Sequence, residues 1–210
     1  MNNLSINPEL QNYIEREIFP IYEKNEGGHG LEHIKYVISR SLKFAYQFEN
    51  INIDMVYTIA AFHDIGHHID KDIHEILSAK MFYENEDLKT FFNDNERLII
   101  KEAIEDHRAS NDSEPRSNYG KIVSSADRTT DIDTVLKRTH SYSLKHRSSY
   151  TLDEMIEEAY THMCKKYGKN GYAKHYVEDE EYTNFLNAVD EFTKDKNQFV
   201  ERYKEVNNIN

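Results

Sequence analysis

Cysteine, tryptophan, proline and glycine are all scarce in this 210-residue chain. Cys164 is the one cysteine, so no internal disulfide can brace the fold, which suits a reducing compartment. Three prolines and seven glycines make up about 5% of the residues, where a sum near 12% is usual. That shortage argues against a turn-rich all-β fold and against long flexible linkers. No stretch approaches the roughly 18 apolar residues of a membrane span, and residues 1–10 lack a basic region followed by an apolar run. The chain therefore reads as a soluble cytoplasmic protein, and Asn111-Asp112-Ser113 reads as an ordinary loop rather than a glycosylation site. Positive charge is short as well: 26 Lys and Arg face 38 Asp and Glu, a net charge of -12. A nonspecific grip on nucleic acid or on an anionic membrane is disfavoured, and a phosphate-bearing ligand needs a local positive centre.

What is present is helical periodicity and histidine. The 15 Tyr and 10 Phe set the chain apart from disordered sequences, and its length suits one domain with an elaboration. Apolar spacing predicts helices over 8–24, 31–48, 53–65, 72–83, 94–108, 119–128, 132–144, 152–167 and 179–203. Gly27, Gly28 and Gly30 break the chain before the second helix, and Gly66 stands where a helix-stop residue closes the third. The expected class is all-α.

Eleven histidines are present, and six groups of metal-ligand type fall where apolar stripes would otherwise continue. His63 extends the face of Val56 and Ala60, with Asp64 beside it at the helix end. His107 sits three past Ile104, His74 heads the face of Leu77, Ser78 and Met81, Asp127 is four past Val123, and His33 precedes Val37 by four. Burying an imidazole or carboxylate costs several kcal/mol unless it is paired, hydrogen-bonded or bound to a metal. One shared metal site satisfies all six groups together. Singly, each has a plainer reading as a hydrogen-bonded core residue or a helix cap, so the argument rests on the set and its order.

That order, carried by EHIKYV, AAFHDIG, HEILSAKMF, IEDH and KIVSSAD, resembles the HD-domain metal-dependent phosphohydrolase superfamily over residues 29–131. The resemblance implies an all-α HD-domain helical bundle, with residues 1–28 as a helix packed on it and 132–210 as a C-terminal elaboration of the same domain. It further implies that His33, His63, Asp64 and Asp127 hold one metal, and that His74 and His107, with Asp64 as a bridge, hold a second. Imidazole and carboxylate donors suit Fe, Mn, Zn, Co or Ni better than Ca, and ligand type does not choose among them. The implied reaction is hydrolysis of a small phosphoester or phosphoanhydride, with a nucleotide as the leading substrate class.

In the cyclic-dinucleotide phosphodiesterase branch a lysine follows the HD-I-G run. Here His67 stands at that position, so Asp64 and His67 are the catalytic candidates, His67 as proton donor to the leaving oxygen. Arg108 and Arg128, each next to a candidate ligand, and His29 are candidates for contacting substrate, with Lys35 and Lys71 behind them. His140, His146, His162 and His175 read as non-ligands, and Cys164 as a packed side chain. The basic run of Lys137, Arg138, Lys145 and Arg147 reads as a solvated face, with an anion-recognition element as the other reading. Two further functions fit the same ligands. One is a di-iron oxygenase, gated by Tyr22, Glu23 and Glu26; the other is a non-catalytic binding module stabilised by metal. Tyr160, Tyr167, Tyr172, Tyr176, Tyr182 and Phe185 suit either core packing or a subunit face.

Overall fold

In the computed structural model, which describes residues 5–25 and 28–209, ten α-helices and no strand are found among the described residues. Gly27 and Glu26 lie outside them. The helices are α1 (Pro8–Tyr13), α2 (Leu31–Ala45), α3 (Ile53–Phe62), α4 (His74–Tyr83), α5 (Asp94–Asp106), α6 (Asn118–Ala126), α7 (Ile132–His146), α8 (Leu152–Tyr167), α9 (Glu180–Phe192) and α10 (Lys196–Val206). The architecture is all-α, as the periodicity predicts.

Most helix starts have a local chemical cause. Asn7, Asn52, Ser117, Asp131, Asp179 and Asp195 each accept from amides of the turn they precede. Full capping boxes start α5 (Asn93 with Glu96) and α8 (Thr151 with Glu154). The exceptions are α2 and α4, preceded by Gly30 and Ile73, which have no side-chain cap. These are the two helices that carry His33 and His74 in their first turns.

Two expectations about continuity are corrected. The helix expected over 179–203 is two helices, because Asp195 caps a new start with bonds from the Asn197 and Gln198 amides. The segment expected as one helix over 8–24 changes its winding, from α1 into a π turn (Ile14–Ile18) and then a 3-10 turn (Phe19–Lys24). Pro20 has no N-H to donate back along an α-helix, which accounts for the change.

The described chain divides into two compact units. The first comprises residues up to Asp127 together with His175–Glu178, and the second comprises Arg128–Lys174 and Asp179 onward. In the first, α2, α3, α5 and α6 pack on one another and α4 packs on α5. Its core includes Ile34, Val37, Val56, Ile59, Ala60, Phe62, Ala103, Ile104, Ile122 and Val123, all essentially inaccessible to solvent. Segment 175–178 joins this unit through the Tyr176 amide to Ser125 Oγ (2.9 Å), two bonds between Gln47 and Glu178, and the His175 ring against Phe44. The second unit packs α7, α8, α9 and α10 around Leu136, Ile156, Met163, Tyr167, Phe185, Phe199 and Tyr203. There the His140 Nδ1 and the Tyr203 hydroxyl are bonded at 2.9 Å, and Arg202 pairs with Asp133.

Gly66 needs its missing side chain for a reason other than the expected one. Gly28 is the positive-φ glycine among the described residues, so Gly66 is no left-handed helix stop. Its amide donates to Ser78 Oγ at 2.9 Å. A Cβ there would lie 2.8 Å from Leu77 Cβ and 2.9 Å from the Ser78 backbone nitrogen. The turn after α3 thus lies directly against the first turns of α4. Gly66→Ala is expected to destabilise the fold by about 1–3 kcal/mol, read as a lowered urea midpoint; a loss under about 0.5 kcal/mol would mean that α4 moves aside freely.

Candidate metal centre

The six candidate ligands sit at helix ends. His63, His107 and Asp127 are the residues that close α3, α5 and α6, while His33 lies in the first turn of α2 and His74 opens α4. A helix C-terminus carries partial negative charge from its unpaired carbonyls. Three such ends meeting at one cluster favour a cation there.

Short local hydrogen bonds set the direction of three imidazoles. His63 Nδ1 lies 2.8 Å from the Ala60 carbonyl, His107 Nδ1 lies 2.6 Å from that of Ile104, and His74 Nδ1 lies 2.9 Å from that of Lys71. A carbonyl oxygen only accepts, so Nδ1 carries the hydrogen in each ring, and Nε2 of the neutral ring keeps its lone pair for a ligand. The Nε2 atoms of His74 and His107 face each other at 3.1 Å. Two lone pairs at that distance repel unless a proton or a cation joins them. The Nε2 atoms of His33 and His63 are buried and make no aligned hydrogen bond.

Asp64, only 2% exposed, lies between these two nitrogen pairs. Its Oδ1 is 3.3 Å from His74 Nε2 and 3.6 Å from His107 Nε2. Its Oδ2 is 3.6 Å from His33 Nε2 and 3.5 Å from His63 Nε2. Asp127 Oδ1 completes the second side, at 3.1 Å from His33 and 3.7 Å from His63. Donors bound at about 2.1 Å to one ion stand about 3.0–3.4 Å apart for right-angle to tetrahedral geometry, so the spacing and the chemistry of this donor set fit divalent transition ions. Three overlapping groups could hold a metal by proximity: His29, His33 and Asp64; His33, His63 and Asp127; and His63, Asp64 and His107.

The other expected site residues have specific places. His29 Nδ1 is 2.7 Å from Asp64 Oδ2, and its ring stacks on His67 at 4.0 Å between centroids. The His67 ring is 5.4 Å from that of His74. Arg108 gives its guanidinium to Glu75, at 3.1 Å, and to the Asp72 carbonyl. Arg128 belongs to the second unit, where it is buried and its Nε donates to the Lys174 carbonyl. Lys35 pairs with Glu32. Tyr22 is buried with its hydroxyl on the Ala61 carbonyl, and Glu23 is exposed. Two contributors were absent from the sequence reading. Asn25 Nδ2 bonds the carbonyls of Asp64 and His29, and Glu75 engages Arg108. Asp64 lies 39 positions from Asn25, and Arg108 lies 33 from Glu75, out of reach of local spacing.

Mutual influence sets the charge states. Burial opposes ionisation of Asp64 and Asp127, but the surrounding imidazoles outweigh it and hold both carboxyls well below the usual range. Burial also works against a proton on His33, yet Asp127 and Asp64 prevail and raise it to about 9. His107 is raised in the same way by Asp64, whereas burial and the neighbouring His107 lower His74. The opposite shifts favour a proton on His107 over one on His74. Burial and His29 lower His67 to about 4, leaving it a neutral imidazole near pH 7.

A proton held more tightly by the folded than by the unfolded chain stabilises the fold fully below the unfolded value. For His33 that contribution is present below 6.5 and is lost as pH rises through about 9. The melting midpoint of metal-free protein is therefore expected to fall across that window, more steeply than in His33→Gln. A midpoint that stays level or rises in the wild type would contradict this charge assignment.

Residues 30–131 match the family described as HD domain, a family made up mostly of metal-dependent hydrolases. No curated protein and no solved structure matches the chain. The matched stretch contains α2 through α6 and every helix end that builds the cluster, so residues 30–131 form an HD domain.

Proposed function

We propose that the chain is a metal-dependent phosphohydrolase that cleaves a phosphoester or phosphoanhydride of a small molecule, of the nucleotide class. The observation that carries this reading is the division of the Asp64 carboxylate between two imidazole pairs, Oδ1 toward His74 and His107, Oδ2 toward His33 and His63. In this reading His33, His63, Asp64 and Asp127 hold one ion, and His74, His107 and Asp64 hold another. Two bound divalent ions supply a water acidic enough to attack near neutral pH and neutralise charge on the phosphoryl oxygens.

The chain's own groups do the rest. His29 bonds Asp64 Oδ2 and borders the cluster, so it both orients the bridging carboxylate and is a candidate phosphate contact. His67, stacked on His29, is the proton donor to the leaving oxygen; a bound anionic phosphate beside it would raise its affinity for a proton from its value of about 4. The uncapped first turns of α2 and α4 add partial positive charge. The Tyr22 hydroxyl is already given to the Ala61 carbonyl, which removes one of the side chains that an oxygenase reading would use as a gate. In a chain of net charge -12, long polyanions are repelled, so the substrate is proposed to be a small phosphorylated molecule rather than nucleic acid. No helix among the described residues is long and apolar enough to cross a membrane.

The test is phosphate release from nucleotides, dinucleotides and simple phosphoesters with Mn, Co, Ni or Fe added. Turnover is expected in the wild type, with a loss of at least about 100-fold in Asp64→Asn. Silence across the panel with metal bound, together with substrate-dependent oxygen uptake by the iron form, would replace this reading with the oxygenase. For His67→Ala, kcat is expected to drop by about 100-fold or more with the metal content per chain unchanged; an unchanged kcat would remove His67 from the chemistry.

A further inference from the structure

Arg108 is committed within the protein, and its partners are informative. It directly follows His107 at the end of α5, and its Nη1 donates to both carboxylate oxygens of Glu75, at 3.2 and 3.1 Å, and to the Asp72 carbonyl. Glu75 in turn directly follows His74, and its Oε2 lies 3.5 Å from His74 Nδ1. The side chains of Arg108 and Glu75 are 30% and 12% exposed, so the pair is mostly withdrawn from water and weakly screened. The segment it grips, from Asp72 to Glu75, is the start of α4, which has no side-chain cap. At the far end of α4, Arg97 of α5 holds the carbonyls of Tyr83 and Asn85. Arg97 of α5 and Arg108 just beyond that helix therefore tie α4 at both of its ends, and the Arg108 tie lies one residue from each of the two facing imidazoles.

From this we infer that Arg108 is a positioning residue which, through Glu75 and the Asp72 carbonyl, holds His74 Nε2 and His107 Nε2 at their 3.1 Å separation and so determines whether a second ion is retained. The inference rests on the two-ion reading above. Arg108 and Glu75 stand next in the chain to His107 and His74, the two imidazoles proposed for the second ion. Loss of the clamp thus acts on one ion and spares the other. A guanidinium suits this task because it reaches a carboxylate and a carbonyl from one planar group, whereas an ammonium offers only a point charge.

Equilibrium dialysis of the full chain against Mn²⁺, with metal counted per chain, tests the inference directly. The wild type is expected to bind two ions. Arg108→Gln and Glu75→Gln, which break the clamp from opposite sides, are each expected to keep the first ion at wild-type affinity and to bind the second about 10 to 100-fold more weakly. Arg108→Lys is expected to restore part of that affinity, and the double variant to be no worse than either single one. Two ions bound at wild-type affinity by Arg108→Gln would overturn the inference, as would equal weakening of both ions, which would mark a merely structural role. A wild type that binds one ion also overturns it, whereas a wild type that binds none overturns the proposed function itself.

Discussion

A buried carboxylate shared by two pairs of imidazoles is the interaction on which the rest of the first unit depends. Asp64 is nearly inaccessible to solvent, and an isolated ionised carboxyl in such a place is strongly disfavoured. It stays ionised because His63, His107, His29 and His33 surround it. Those rings can surround it only if α2, α3 and α5 bring their ends to the same point. The packing of the helices and the charge state of one side chain are therefore one problem. Asp127 repeats the arrangement on one side, where His33 and His63 keep it ionised.

Local backbone geometry does much of the orienting. In three rings the Nδ1 hydrogen goes to a carbonyl three residues earlier in the chain, Ala60, Ile104 or Lys71. Each ring is thereby turned by its own helix end or by the turn before it, and its Nε2 is directed away from the backbone that holds it. Tertiary contacts then place those ends. Gly66 lets the turn after α3 approach α4, Asn25 ties the Asp64 backbone to His29, and Arg97 fixes the far end of α4 against α5. Bonds from three of its rings to main-chain carbonyls orient the cluster without any disulfide.

Particular residues show what was legible beforehand. His63 and His107 were visible because each continues an apolar face with a group that cannot be buried alone. The helices themselves were visible because apolar residues recur at helical spacing, as Ile53, Val56 and Ala60 do in α3. The break before Asp195 was missed because apolar spacing runs on across it, although Asp195 is itself a cap residue. Gly66 was noticed for the wrong physical reason, since a glycine required for close approach and one required for left-handed backbone look alike in a sequence. Arg108 was expected to reach phosphate, because a cation beside a candidate ligand does not reveal that a carboxylate from another helix already occupies it.

By itself, then, the sequence determined the all-α class and most of the helices that make it, and it singled out six side chains of metal-ligand type, because periodicity and the cost of burying a lone polar group act over a few residues or on one residue at a time. Only the tertiary structure decided how those side chains divide around Asp64, which oxygen faces which ring, and that Glu75 and Asn25 belong to the site. These relations exist only once helix ends from separate parts of the chain are packed against one another.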